Sequence, residues 1–167
     1  MNHTAKSENN KRRFSWKYIL IIISVLAVAS IAGAIGRQAV KTMMKPSQQE
    51  IEKILTEGFT FAATQINQKL PMMLDEDTRL DKATVGPGTR VVYHNTFPKY
   101  TSKDIDANWL RTNLKPEVMQ KICTSGDMKK SLQLGGIYVY AYSGNDGIEI
   151  ARFEIDRNDC KLAKISP

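Results

Sequence analysis

Two histidines and two cysteines are all that 167 residues contain of the side chains that most often bind zinc or carry thiol chemistry. His3 lies in a basic N-terminal stretch, so His94 is the one imidazole beyond it. With Cys123 and Cys160 it falls short of the four ligands of a structural zinc site. No Gly-x-Ser-x-Gly elbow and no Ser-x-x-Lys pair occurs, which removes two frames for an activated serine. The Gly86-Pro87-Gly88 string lacks the lysine and the following helix of a phosphate loop. Internal repeats and low-complexity runs are missing as well. These gaps exclude the better-marked enzyme classes, and the expectation is a protein without catalytic activity, metal or cofactor.

What the chain does have is one long apolar run. Tyr18 to Gly36 is nineteen residues without a charge, which as a helix covers roughly 28 Å, about the hydrocarbon thickness of a bilayer. Lys6, Lys11, Arg12, Arg13 and Lys17 precede it against Glu8 alone, whereas Arg37, Lys41 and Lys45 follow. That asymmetry favours a cytoplasmic N-terminus, and Trp16 and Tyr18 fall where aromatic rings settle among headgroups. Ala27-Val28-Ala29 and Ala32-Gly33-Ala34 resemble signal-peptidase sites, so release of a soluble domain is the alternative. Retention is favoured because the apolar run continues past both sites and the basic region before it is long. The expected location is the bacterial inner membrane, crossed once, with the C-terminal domain in the periplasm.

The net charge of +7 invites a nucleic-acid reading until the charges are located. From Pro46 onward there are sixteen cations and sixteen acids, so the basicity belongs to the membrane flanks. It suits anionic lipid headgroups and argues against nucleic acid. The chain therefore divides into a basic cytoplasmic tail (1–17), a transmembrane helix or signal anchor (18–36), a basic linker (37–45) and one periplasmic domain (46–167). In an oxidising compartment Cys123 and Cys160 read as one disulfide, with two buried free thiols as the alternative.

Within that domain Ser47 and Glu50 form a capping box. Ile51, Ile54, Leu55, Phe59, Ala62, Ala63, Ile66 and Leu70 then recur at helical spacing as one core stripe, and Pro71 ends the helix. The stretch "TRLDKATVGPGTRVVYHNTF" reads as a hairpin whose second arm turns Val91, Tyr93, Asn95 and Phe97 toward the long helix. Thr101 or Ser102 caps "DIDANWLRTNL", Pro116 opens a further helix, and "GDMKKSLQLGG" closes on a glycine pair. A second hairpin, "IYVYAYSGNDGIEIARFEI", turns at Ser143 to Gly147. The expected fold is α+β: a long amphipathic helix and an approximately four-stranded antiparallel sheet with short helices on one face.

Residues that could carry function are few. In "LPMMLDEDTRLD" the acids Asp75, Glu76, Asp77 and Asp81 invite a calcium reading, but the glycine and terminal glutamate of an EF-hand loop are missing. The plainer reading is a solvated connection in which Arg79 pairs with a neighbouring acid. His94 on a strand is the lone candidate base. Tyr138, Tyr140 and Tyr142 share one strand face and are the candidate contact surface, although the same stripe suits a place beneath the helices. Whichever sheet face stays uncovered is expected to be an exposed apolar patch that meets a partner.

Taken as a set, "INQKLPMMLDEDTRLD", "GPGTRVVYHNTF", the "IC" at Ile122-Cys123, "GGIYVYAYSGNDG" and the "DC" at Asp159-Cys160 resemble a group of short, mostly uncharacterised bacterial envelope proteins marked by an LPxxLDxxTRLD motif. The resemblance implies an exported domain with paired cysteines and carries no catalytic residue. The function expected is a non-enzymatic interaction module that binds the bilayer through its span and, through its domain, an envelope protein or another copy of itself. An immunity or inhibitor protein against an exported toxin, or a released periplasmic binding protein, is the alternative.

Overall fold

Ser47 starts the first element as expected. Its hydroxyl accepts from the Glu50 backbone N–H at 3.2 Å while the Glu50 carboxylate accepts from the Ser47 N–H at 2.7 Å, so two orphan donors of the helix start are satisfied reciprocally. The computed structural model describes residues 46–162, in which α1 (Gln48–Asn67) is followed by β1 (Met72–Met73), β2 (Arg79–Gly86) and β3 (Arg90–Phe97). The tail, apolar span and linker assigned to residues 1–45 lie outside the described residues. Among those described, no helix is long and apolar enough to cross a membrane.

Leu55, Phe59, Ala63 and Ile66 are the side chains that α1 buries, and it lays them on β2 and β3. Of the rest of the eight-residue stripe read from sequence, Ile51 and Leu70 also pack against this core, and Ile54 does not. Ile54 keeps 38% of its surface exposed and Phe61, on the same side, 56%. The helix carries two apolar faces, and the sheet takes one.

From β3 the chain crosses to β4 (Ile137–Gly144) through a helical layer. A 3-10 turn, Ser102–Asp104, comes first, followed by α2 (Ala107–Trp109), which runs through a π-helical segment (Leu110–Leu114) into α3 (Lys115–Thr124), and then by α4 (Gly126–Gln133). Thr101 caps the 3-10 turn and not the helix. That task falls to Asp106, whose carboxylate accepts from the Asn108 N–H at 2.8 Å. After α4, Gly135 takes φ +98, a left-handed conformation that side-chain-bearing residues avoid, and the chain turns back into the sheet. β5 (Glu149–Ile155) and α5 (Arg157–Leu162) complete the order.

The sheet is five-stranded, in the order β1-β2-β3-β4-β5, and mixed. The two hairpins are where the sequence placed them, β2 against β3 and β4 against β5, both antiparallel. The expectation of an antiparallel sheet fails at the centre, where β3 and β4 pair in parallel from Arg90 beside Ile137 to Phe97 beside Gly144. The reason is the crossover: a connection long enough to carry three helices returns the chain to the end of the sheet where it began. The fifth strand, the dipeptide Met72–Met73 against Leu80 and Arg79, is too short to leave a periodic signal.

Cys123 of α3 and Cys160 of α5 are bonded, with Cα atoms 5.5 Å apart. The bond ties the crossover layer to the helix that follows the last strand. Lys115 reinforces the same junction through an ion pair with Asp159 at 3.3 Å.

Candidate protein-interaction surface

The tyrosine stripe falls beneath the helices. Tyr138 is 5% and Tyr142 4% exposed, and Tyr140 is partly buried between them. Tyr138 meets Phe59 of α1 edge-on at 5.6 Å, and its hydroxyl shares a 2.6 Å hydrogen bond with Ser131 of α4. Tyr140 contacts Tyr93 and Phe153, and Tyr142 contacts Phe97 and Phe153. This correction removes Tyr138 and Tyr142 as a free contact surface: they form the aromatic layer on which the helices sit. Burial makes the phenolate form costly. The Tyr138 hydroxyl is pushed up to about 12, and Tyr93, Tyr140 and Tyr142 are raised further by the same desolvation.

The opposite face of the sheet has no helix of the described residues over it. Three rows of side chains cross it in register: Thr84, Val92, Val139 and Glu154; Lys82, His94, Ala141 and Arg152; and Thr96 beside Ser143 beside Glu149. Val92, Val139 and Ala141 are buried even here. The expected exposed apolar patch is therefore a short-side-chain floor between charged rims. Arg90 bonds Glu154 at 2.9 Å, Arg152 forks onto Glu149 at 3.0 and 2.7 Å, and Thr96 donates to Asp81.

His94 stands at the centre of this face. Partial burial lowers its pKa first, with Lys82 and Arg152 adding to the effect, so the ring is neutral at pH 7. Its Nε2 lies 3.0 Å from the Thr84 hydroxyl. A hydroxyl next to an imidazole is the start of a nucleophile and base pair. Here no described group holds the other ring nitrogen, and the pair sits on an open sheet face where water is not excluded. The arrangement orders the surface and offers hydrogen bonds to a partner.

Three acids of the LPxxLDxxTRLD string, Asp75, Asp77 and Asp81, are spent on local structure, and Glu76 is exposed. Asp75 accepts from the Asp77 and Thr78 backbone N–H groups at 2.8 and 2.7 Å, which holds the turn between β1 and β2. Asp77 pairs with Lys99 at 3.2 Å, and Arg79 pairs with Asp81. The expected pairing of Arg79 with a neighbouring acid is present, and the connection is also braced as a strand-turn-strand unit by the short β1. Among the described residues no group of three or more His, Cys, Asp or Glu side chains is placed to hold a metal ion.

Sequence reasoning missed the second apolar face of α1 and the composition of the open sheet face. A wider apolar arc on α1 than one sheet contact can cover was the available signal for the first. Alternation of Arg152 and Glu154 with the buried Ala151, Phe153 and Ile155 was the signal for the second.

No protein-family model matches the chain, and no curated protein matches it. Solved structures do. The fold is similar to that of a Pseudomonas aeruginosa protein classed as secreted, at 18% identity and a TM-score of 0.55 over 66% of this chain and 96% of that one. It is similar to EpsS, the pilotin of the type 2 secretion system of Vibrio vulnificus, at 14% identity and a TM-score of 0.56 over 67% of this chain and 96% of that one. AspS, the type II secretion system pilotin of Vibrio cholerae, matches at 16% identity and a TM-score of 0.52 over 69% of this chain and its own full length. At these identities the likeness is one of fold.

Proposed function

We propose that the protein is a non-enzymatic interaction module of the bacterial envelope, held to the inner membrane by Tyr18–Gly36, whose periplasmic domain binds an envelope protein. The observation that carries this reading is the fold itself: two of the structures it resembles are pilotins of type II secretion systems, and each is covered almost end to end. The buried disulfide agrees with an oxidising compartment. The open sheet face around His94, with its small-residue floor and paired charges, suits a partner of mixed polarity, since non-obligate interfaces are on average no more apolar than other surface. Tethering raises the local concentration of both partners, so modest affinity is enough.

The test is fractionation of cells producing the full chain with a C-terminal tag, combined with photo-crosslinking from Lys82 and Glu154. The expected result is an uncleaved chain in the inner membrane, a domain cut by protease added from the periplasmic side, and a discrete adduct with an envelope protein. A shortened soluble product would remove the anchor, and an absence of adducts from both positions would remove this face.

A further inference from the structure

From the two faces of α1 we infer that a second copy of this chain docks on the outer one, giving a parallel α1–α1 pair on the membrane; the inference rests on the tethered reading above. Ile54, Gly58, Phe61 and Gln65 follow one another at steps of four, three and four residues. That alternation is the seam spacing of two helices wound together, and it is displaced around the helix from the Leu55, Phe59, Ala63 and Ile66 face that meets the sheet. Ile54 and Phe61 stand one heptad apart with 38% and 56% of their surfaces exposed, and Gly58, which carries no side chain, lies between them. The rest of the circumference is polar: Lys53 pairs with Glu57, and Thr60 and Thr64 donate to the carbonyls of Thr56 and Thr60.

The occupant follows from the chain ahead of the helix. Ten residues separate Gly36 from Ser47, a reach of at most about 35 Å even when fully extended. Copies held in one bilayer by Tyr18–Gly36 therefore present α1 from the same side, with its N-terminus nearest the membrane and within that reach of it. A parallel seam requires that arrangement, and a diffusing partner would not supply it. Two side chains and a glycine make a small contact, so the pair depends on the millimolar effective concentration that tethering supplies.

The experiment uses the full chain in inner-membrane vesicles, produced with two different C-terminal tags in the same cells and carrying p-benzoyl-phenylalanine at Phe61 or, as control, at Lys53. The expected result is an adduct containing both tags from position 61 and none from position 53. Ile54→Asp, on an exposed site, should lower the adduct from position 61 by about tenfold while leaving the thermal transition in place. Adducts from position 61 that contain only another protein, or no adduct with the chain still in the membrane fraction, overturn the pairing and leave the anchor standing. A chain found in the soluble fraction fails the anchor instead, and the pairing falls with it because its parallel register is lost.

Discussion

The side-chain amide of Asn67 pairs with both backbone groups of Ala83: its Nδ2 donates to the carbonyl and its Oδ1 accepts from the N–H, each at 2.8 Å. Asn67 is the last residue of α1, and Ala83 lies on β2 beyond the reach of the dipeptide β1. One side chain thus behaves as a strand of a single residue and closes an edge that would otherwise offer unpaired groups to other chains.

Asn67→Ala should cost about 1–3 kcal/mol, two hydrogen bonds at their usual net worth. Asn67→Asp keeps the acceptor, loses the donor and should fall between. Chemical denaturation gives the stabilities. If the edge matters beyond stability, the alanine variant also aggregates faster at equal folded fraction.

Reducing the Cys123–Cys160 bond should lower stability by about 4 kcal/mol on the loop-entropy estimate for a separation of 37 residues. Denaturation with and without reductant checks this, and hydrogen exchange should show α5 opening first, because the bond joins it to α3. Equal stability in both states would place the helix packing, not the bond, in charge of that junction.

Ser131 Oγ donates to the Met128 carbonyl at 2.7 Å and so accepts from the Tyr138 hydroxyl: Ser131→Ala strands that buried donor and should cost about 1–3 kcal/mol, whereas Tyr138→Phe leaves Ser131 bonded to Met128 and should cost less, about 0.5–1.5 kcal/mol. The double variant should cost less than the sum of the two. For the tyrosines the pH sign is also set. Their folded pKa values are raised, so folding is favoured below the usual phenol range and stability is lost as pH climbs above about 10, where the unfolded chain ionises. A phenolate absorbance titration should therefore show Tyr93, Tyr140 and Tyr142 ionising together with unfolding.

His94 supplies a dependence of opposite slope near neutrality. Its pKa is lowered in the fold, so between that value and the ordinary 6.5 the unfolded chain binds more protons, and stability rises with pH. Above 6.5 the effect is complete. His94→Gln should flatten the profile in this window while leaving the acid limb governed by Glu149 and Asp146, whose carboxylates are held low by Arg152 and Ser102. An unchanged profile in the variant would mean that another group sets it.

Much of this architecture is legible in the sequence, and the reasons are local. Ser47 and Glu50 mark a helix start because a capping box involves only four residues, and Gly147, at φ +75, marks the second hairpin because its turn needs such an angle. The direction in which β4 returns is not local: it depends on how α2, α3 and α4 pack, and no residue of β3 or β4 records it. The surface was harder still. Tyr138, Tyr140 and Tyr142 look the same in sequence whether they face helices or a partner, and only the number and position of helices decides. Ile54 was absorbed into the core stripe and Phe61 left out of the reading, because three- and four-residue spacing describes both a core face and a seam.

The parallel pairing of β3 with β4 has a consequence for how the protein comes into being. Each hairpin can close on its own within microseconds, whereas the central seam must wait until everything between Phe97 and Ile137 has arrived and been arranged. A chain synthesised N-terminus first holds its β2–β3 hairpin with an open flank for that whole interval, its Val91, Tyr93 and Phe97 not yet joined by β4. Lone hairpins of this kind capture one another readily. The stage at which this protein most needs protection is therefore during synthesis, before Ile137 has followed Phe97 off the ribosome.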